Sequence, residues 1–112
     1  MPRPKKLRLV SGYPSMAAFR PEGIPISGEI RMSVENLETI RLSDFEGFDQ
    51  DTAARMMGVS RQTYGRILAD ARHRIAEAMV TGKILQIGGG TYQVRGRPGG
   101  RRRRKGWGRN GL

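Results

Sequence analysis

The chain is predicted to be mainly α: a helix-turn-helix three-helix core with a short flanking β-hairpin and disordered basic ends. Three observations lead there. Residues 50–69 hold small, apolar and capping residues where two helices meeting through a short turn need them. From Tyr64 to Met79 apolar residues recur every three or four positions, the period of a helix with one buried face. Both ends are rich in Arg, Lys, Gly and Pro and have little to bury.

The elements follow in order. At 112 residues there is room for one domain with a small core. Residues 1–12 are expected to be a basic, mostly extended arm carrying the alternation Leu7, Leu9 and then Val10. The folded domain is expected over 13–94. Pro14, Pro21, Pro25, Gly23 and Gly28 exclude a long helix from its first part, leaving one short strand at 16–19. Ser33 reads as an N-cap, with Glu35 well placed for the helix dipole. That helix is predicted to run to about Glu46, with Leu37, Ile40 and Phe45 near one face, until Gly47 stops it. Asp49 caps the next helix. The third starts after Ser60 and, with Tyr64, Ile67, Leu68, Ala71, Ile75, Ala78 and Met79 in phase, continues to Gly82. Residues 83–87, 88–90 and 91–94 read as strand, glycine turn, strand. A lone hairpin is marginal in water, so it should pair with 16–19 or pack on the long helix. Residues 95–112 are expected to be a tail that is disordered when free.

Within residues 50–69 several independent steric demands agree. Helices meeting through a short turn need a small residue at the contact, which Ala54 supplies, and a turn residue tolerant of positive φ, which Gly58 supplies. Ala53, Met57, Val59, Tyr64 and Ile67 fall where apolar side chains point into the angle between the helices. Ser60 sits where the second helix needs its N-cap. Such a unit places its second helix in the DNA major groove, although the same geometry also serves protein-interaction modules and plain core packing. If Tyr64, Ile67 and Leu68 face inward, Arg61, Gln62, Gly65 and Arg66 lie on the opposite side. Arg can bond guanine O6 and N7, and Gln can bond adenine N6 and N7. Ser60 and Thr63 suit phosphate contacts or capping, and Thr52 and Arg55 are candidates for backbone phosphates. Gly65 is the odd member, because glycine inside a helix costs about 1 kcal/mol relative to alanine. Either it lets the backbone approach the bases closely, or it is tolerated drift at an exposed position.

Charge agrees with approach by the second half of the motif. Residues 55–83 carry six bases against two acids, whereas 33–51 carry one base against six acids. The formal net charge of +11 is concentrated at the ends: four bases in residues 1–8 and eight in 95–112, with no acid in either. The body between holds nine bases and ten acids. A near-neutral globule with cationic ends implies a polyanionic partner. In the tail, Arg101, Arg102, Arg103, Arg104 and Lys105 are expected to contact phosphates.

Other classes fall away. There is no apolar run near the roughly 18 residues that span a bilayer. The basic N-terminus is not followed by the apolar stretch of a signal peptide, and a cytoplasmic location without a membrane partner is expected. With no cysteine there is neither a disulfide framework nor a thiolate metal site. His73 lies on the polar face of the long helix with no second ligand type nearby and reads as a solvated histidine. The triplet 88–90 neither leads a strand into a helix nor carries a P-loop lysine. No nucleophile–base–orienter set is visible, so no enzymatic activity, cofactor or metal is expected.

The run Leu37-Glu38-Thr39-Ile40-Arg41-Leu42, then Phe45-Glu46-Gly47, then Ala53 to Tyr64, then Ala71-Arg72 resembles the helix-turn-helix of sigma-70 region 4. More broadly, residues 1–94 resemble the small prokaryotic proteins grouped as domain of unknown function 134. Met1-Pro2-Arg3-Pro4-Lys5, Phe19-Arg20-Pro21-Glu22-Gly23-Ile24-Pro25 and Gly82-Lys83 carry that match, and the chain departs from the pattern at Gln62 and Gly65. The resemblance implies a DNA-binding protein with a flanked, region-4-like helix-turn-helix. The expected function is sequence-specific binding of double-stranded DNA by a transcriptional regulator. Two alternatives stay open: binding of RNA or single strands by the Arg/Gly tail with Trp107, and docking on RNA polymerase. A homodimer is expected if two half-sites are paired.

Overall fold

Each helix starts at a residue whose side chain accepts from the free N–H groups of the first turn. In the computed structural model, which describes residues 7–95, the α-helices are α1 (Val34–Ile40), α2 (Gln50–Met57) and α3 (Arg61–Thr81). Ser33 Oγ accepts from Asn36 N at 3.0 Å, and Asn36 Oδ1 accepts from Ser33 N at 3.1 Å, a reciprocal capping box. Asp49 accepts from Thr52 N at 2.8 Å and Ser60 from Thr63 N at 3.0 Å. Gly58 and Gly82 end α2 and α3 in the left-handed conformation, at φ 68° and 69°.

The strands are β1 (Arg8–Val10), β2 (Ala18–Phe19), β3 (Glu29–Met32), β4 (Ile84–Ile87) and β5 (Tyr92–Val94). They form two small sheets. In one, β4 lies between β2, antiparallel, and β3, parallel; in the other, β1 pairs with β5 in parallel. The core follows this division. Val10, Val34, Leu42, Ala53, Ala54, Met57, Tyr64 and Leu68 pack where α1, α2 and the start of α3 meet β1. Met32, Ala71, Ala78, Leu85 and Ile87 join the rest of α3 to the three-stranded sheet.

Four expectations are corrected. The first is the hairpin: β4 and β5 exist as strands but do not pair with each other. The glycine turn instead carries the chain across the start of α1, where Gly89 O accepts from Val34 N at 3.0 Å. A Cβ on Gly90 would collide with the Glu35 carboxylate and would lie 2.8 Å from Ser33 Cβ. The second is the arm: its last residues belong to the globule, since Val10 is fully buried and β1 pairs with β5. The third is Phe45, which is 70% exposed. Beyond Ile40 the helix widens into a π-turn, Arg41–Phe45, closed by Glu46 N donating to Arg41 O at 2.8 Å. The wider winding turns Phe45 off the face that a 3.6-residue period assigns it and leaves Leu42 buried. The fourth is Met79, 77% exposed, because Ala78 occupies the buried side of that turn. Strand β3 had no counterpart in the sequence reading. Of the arm expected at 1–12 and the tail expected at 95–112, residues 1–6 and 96–112, including Arg101 to Arg104, Lys105 and Trp107, lie outside the described residues.

Candidate nucleic-acid interface

α2 and α3 are joined through Gly58, Val59 and Ser60, and the side chains between them set their relation. Ala53, Ala54, Met57, Tyr64 and Leu68 are all buried. Tyr64 is held hardest. Its hydroxyl donates to Thr39 O at 3.1 Å and lies 2.6 Å from Ser43 Oγ. With its single proton on Thr39, it accepts from Ser43. Burial pushes the phenol pKa upward, so the ring stays neutral. Asn36 Nδ2 donates to Ile67 O at 3.2 Å and locks α1 onto the same turns of α3.

With that face occupied, the other side of α3 is left to solvent. Arg61, Gln62 and Arg66 are exposed, as the helical phase requires, whereas Gly65 on the same side is half-buried. Arg66 makes no ion pair or hydrogen bond within the described residues. Arg61 has its Nε 3.7 Å from Asp51 Oδ1, with both side chains mostly exposed. Ser60 is occupied at both ends, accepting from Thr63 N and donating to Thr63 Oγ1 at 3.0 Å, so capping is its structural task. Thr52 is half-buried in the first turn of α2, while Arg55 is exposed near its end. The Thr52 backbone N–H holds the Asp49 carboxyl below its ordinary pKa, helped by the nearby charges of Arg55 and Arg61. Arg55, Arg61, Gln62, Gly65 and Arg66 therefore belong to exposed or half-exposed parts of adjoining helices, and Thr52 and Ser60 are structurally engaged.

The acidic bias of residues 33–51 is partly offset in space, by Arg8 and Arg72 from outside the segment and by Arg41 within it. Glu35 pairs with Arg8 at 3.0 Å, Glu38 and Glu46 with Arg41 at 3.1 and 3.0 Å, and Asp44 with Arg72 at 2.7 Å. The hydrogen bond from Arg72 keeps the Asp44 carboxyl below its ordinary pKa. Glu35 and Glu38 are buried and also accept from backbone: Thr91 N at 3.1 Å and Ser11 N at 3.1 Å respectively. These two acids fasten the two-stranded sheet to α1. The charge contrast between 33–51 and 55–83 counted along the chain is correspondingly smaller in space.

Sequence reasoning missed several residues at this edge. Gln50 and Asp51, in the first turn of α2, stand beside Gly65 and Arg61. The unexplained glycine was the available signal for Gln50; nothing marked Asp51. Arg8 lines a cleft of about 230 Å³ beside Arg66, together with Ser33, Glu35, Asn36, Ile67 and Asp70. Arg95 ends β5 by donating to Met56 O at 3.1 Å, on the last turn of α2. Among the described residues no helix is long and apolar enough to cross a membrane, and no cluster of His, Cys, Asp or Glu is arranged to hold a metal.

No solved structure matches the chain. Its curated relatives include a UPF0251 protein from Caldanaerobacter subterraneus subsp. tengcongensis, 48% identical over 113 aligned positions, which cover 96% of each chain. Another, from Thermoanaerobacter pseudethanolicus, is 46% identical, with 97% of this chain and 98% of the relative covered. A third, from Dehalococcoides mccartyi, is 44% identical over 88% of this chain and 86% of the relative. Residues 1–95 match the family described as protein of unknown function DUF134, and the chain belongs to that family.

Proposed function

We propose that the protein binds double-stranded DNA sequence-specifically, as a transcriptional regulator, through a helix-turn-helix formed by α2, the Gly58 turn and α3. The observation that carries this reading is the exposed edge Arg61, Gln62 and Arg66 on the first turns of α3. It lies opposite a face immobilised by Tyr64, Leu68 and the Asn36 bond to Ile67. Side chains that read bases need a rigid backbone behind them and free polar ends in front. The start of α3 supplies the rigid backbone, Gln62 and Arg66 the free polar ends and Arg61 an exposed one beside Asp51. The N-terminal residues are the ones such a helix places against base edges. The cationic ends add the sequence-independent attraction to phosphates.

The test is selection of duplexes by the full chain from a random pool, followed by affinity measurement on the selected site, on scrambled duplex and on single strands. A reproducible site preferred over scrambled duplex is expected, and its symmetry reports whether two copies bind. Equal affinity for all duplexes, or preference for single strands, would remove α3 from the reading and leave the Arg-rich tail.

A further inference from the structure

Gly65 is the one residue of the exposed edge of α3 that offers no side chain, and the structure shows what lies there instead. An ideal Cβ on Gly65 would be 3.4 Å from Gln50 Oε1, so the Gln50 amide lies across the gap left by the glycine. Gln50 is half-buried, and its amide has no hydrogen-bond partner among the described residues. Its neighbour Asp51 lies beside Arg61, one helical turn before Gly65 on the same side of α3. The first turn of α2 therefore adds two polar side chains to the edge formed by α3.

We propose that Gln50 is a base-reading residue, whose amide takes the place of the missing side chain at position 65 and bonds an adenine in the groove that α3 enters. This rests on the DNA-binding reading above. The chemistry selects a base over a phosphate. Asp51 stands next in the chain, and a phosphate brought to Gln50 would be repelled by that carboxylate, whereas a base edge carries no net charge. The amide offers one donor group and one acceptor on the same plane, which match adenine N7 and N6. Glycine is disfavoured inside a helix, and its presence at 65 is accounted for if a bulkier residue would push the Gln50 amide out of register.

The experiment uses the full chain and the duplex selected by it, with each base pair of the site varied in turn. Binding is measured for the wild type, Gln50→Ala, Gln50→Glu and Gly65→Met, with thermal unfolding of each read alongside. Gln50→Ala is expected to lose about tenfold or more on the best site and to flatten the preference at one A·T pair. Gly65→Met should flatten the same pair with Gln50 still present. Gln50→Glu should turn the preference there towards C·G, because a carboxylate accepts from cytosine N4. Loss of affinity by Gln50→Ala equally on every sequence, or no change at any base pair, overturns the role of Gln50 and leaves the DNA-binding reading standing. Absence of any sequence ranking by the wild type overturns both.

Discussion

Arg61 Nε lies 3.7 Å from Asp51 Oδ1, joining the first residue of α3 to the first turn of α2. An exposed pair of this kind adds little stability, but it sets where the Arg61 guanidinium points and offsets its charge.

Separating that pair should loosen specificity while strengthening non-specific attraction. Asp51→Asn is expected to bind random duplex more tightly and to steepen the slope of log K against log[salt] by up to about 0.9, the contribution of one phosphate contact. Arg61→Ala should cost about 1–3 kcal/mol on the best site and relax one base position. Equal loss on all sequences would make Arg61 a phosphate contact.

Ala54 is 3% exposed where α2 meets α3. Ala54→Glu places an unpaired carboxylate there and should destabilise the fold by several kcal/mol. Thermal unfolding checks it, and an unchanged midpoint would mean that the two helices do not touch at that residue.

Gly90 has φ 108° and no room for a Cβ between Ser33 and Glu35. Gly90→Ala should cost about 2 kcal/mol or more through backbone strain and displacement of the Glu35 carboxylate. Gly88→Ala, where a Cβ meets nothing within 4 Å and φ is not positive, is the control and should stay within about 0.5 kcal/mol.

Acid should weaken the fold through Asp44, whose carboxyl is held below its ordinary pKa by the hydrogen bond from Arg72. A depressed folded pKa means that the unfolded chain binds the proton more readily. The contribution is therefore complete above the unfolded aspartate range, near pH 4, and is lost as pH falls through the lower folded value. Asp44→Asn should reduce the fall in melting temperature over that window. Since the pair is substantially exposed, the effect is small at high salt.

Arg95 donates to Met56 O, and its backbone N–H donates to Val10 O, so a chain shortened after Arg95 keeps these attachments. Removing 96–112 takes away seven bases. The salt slope on any duplex should flatten by a few units, with the ranking of sequences preserved. A lost ranking in a folded protein would put the tail in a groove.

The parts legible in the sequence are those made by neighbours along the chain. Ser33, Asp49 and Ser60 cap helices because their side chains reach N–H groups three residues ahead, and Gly58 and Gly82 stop helices because they accept a positive φ. The phase that turns Arg61, Gln62 and Arg66 outward follows from burial of Tyr64 and Leu68. What only the tertiary structure decided joins residues far apart. β1 pairs with β5, and Glu35 meets Arg8 and Thr91, 27 and 56 positions away. Two adjacent strands with a glycine turn satisfy a hairpin pattern equally well whether or not they pair, and packing of the turn over α1 settles the matter. The π-turn that exposes Phe45 changes the helical period itself, so no periodic pattern can report it. Gln50 reaches Gly65 only because α2 and α3 lie side by side, and that relation is fixed by the side chains buried between them.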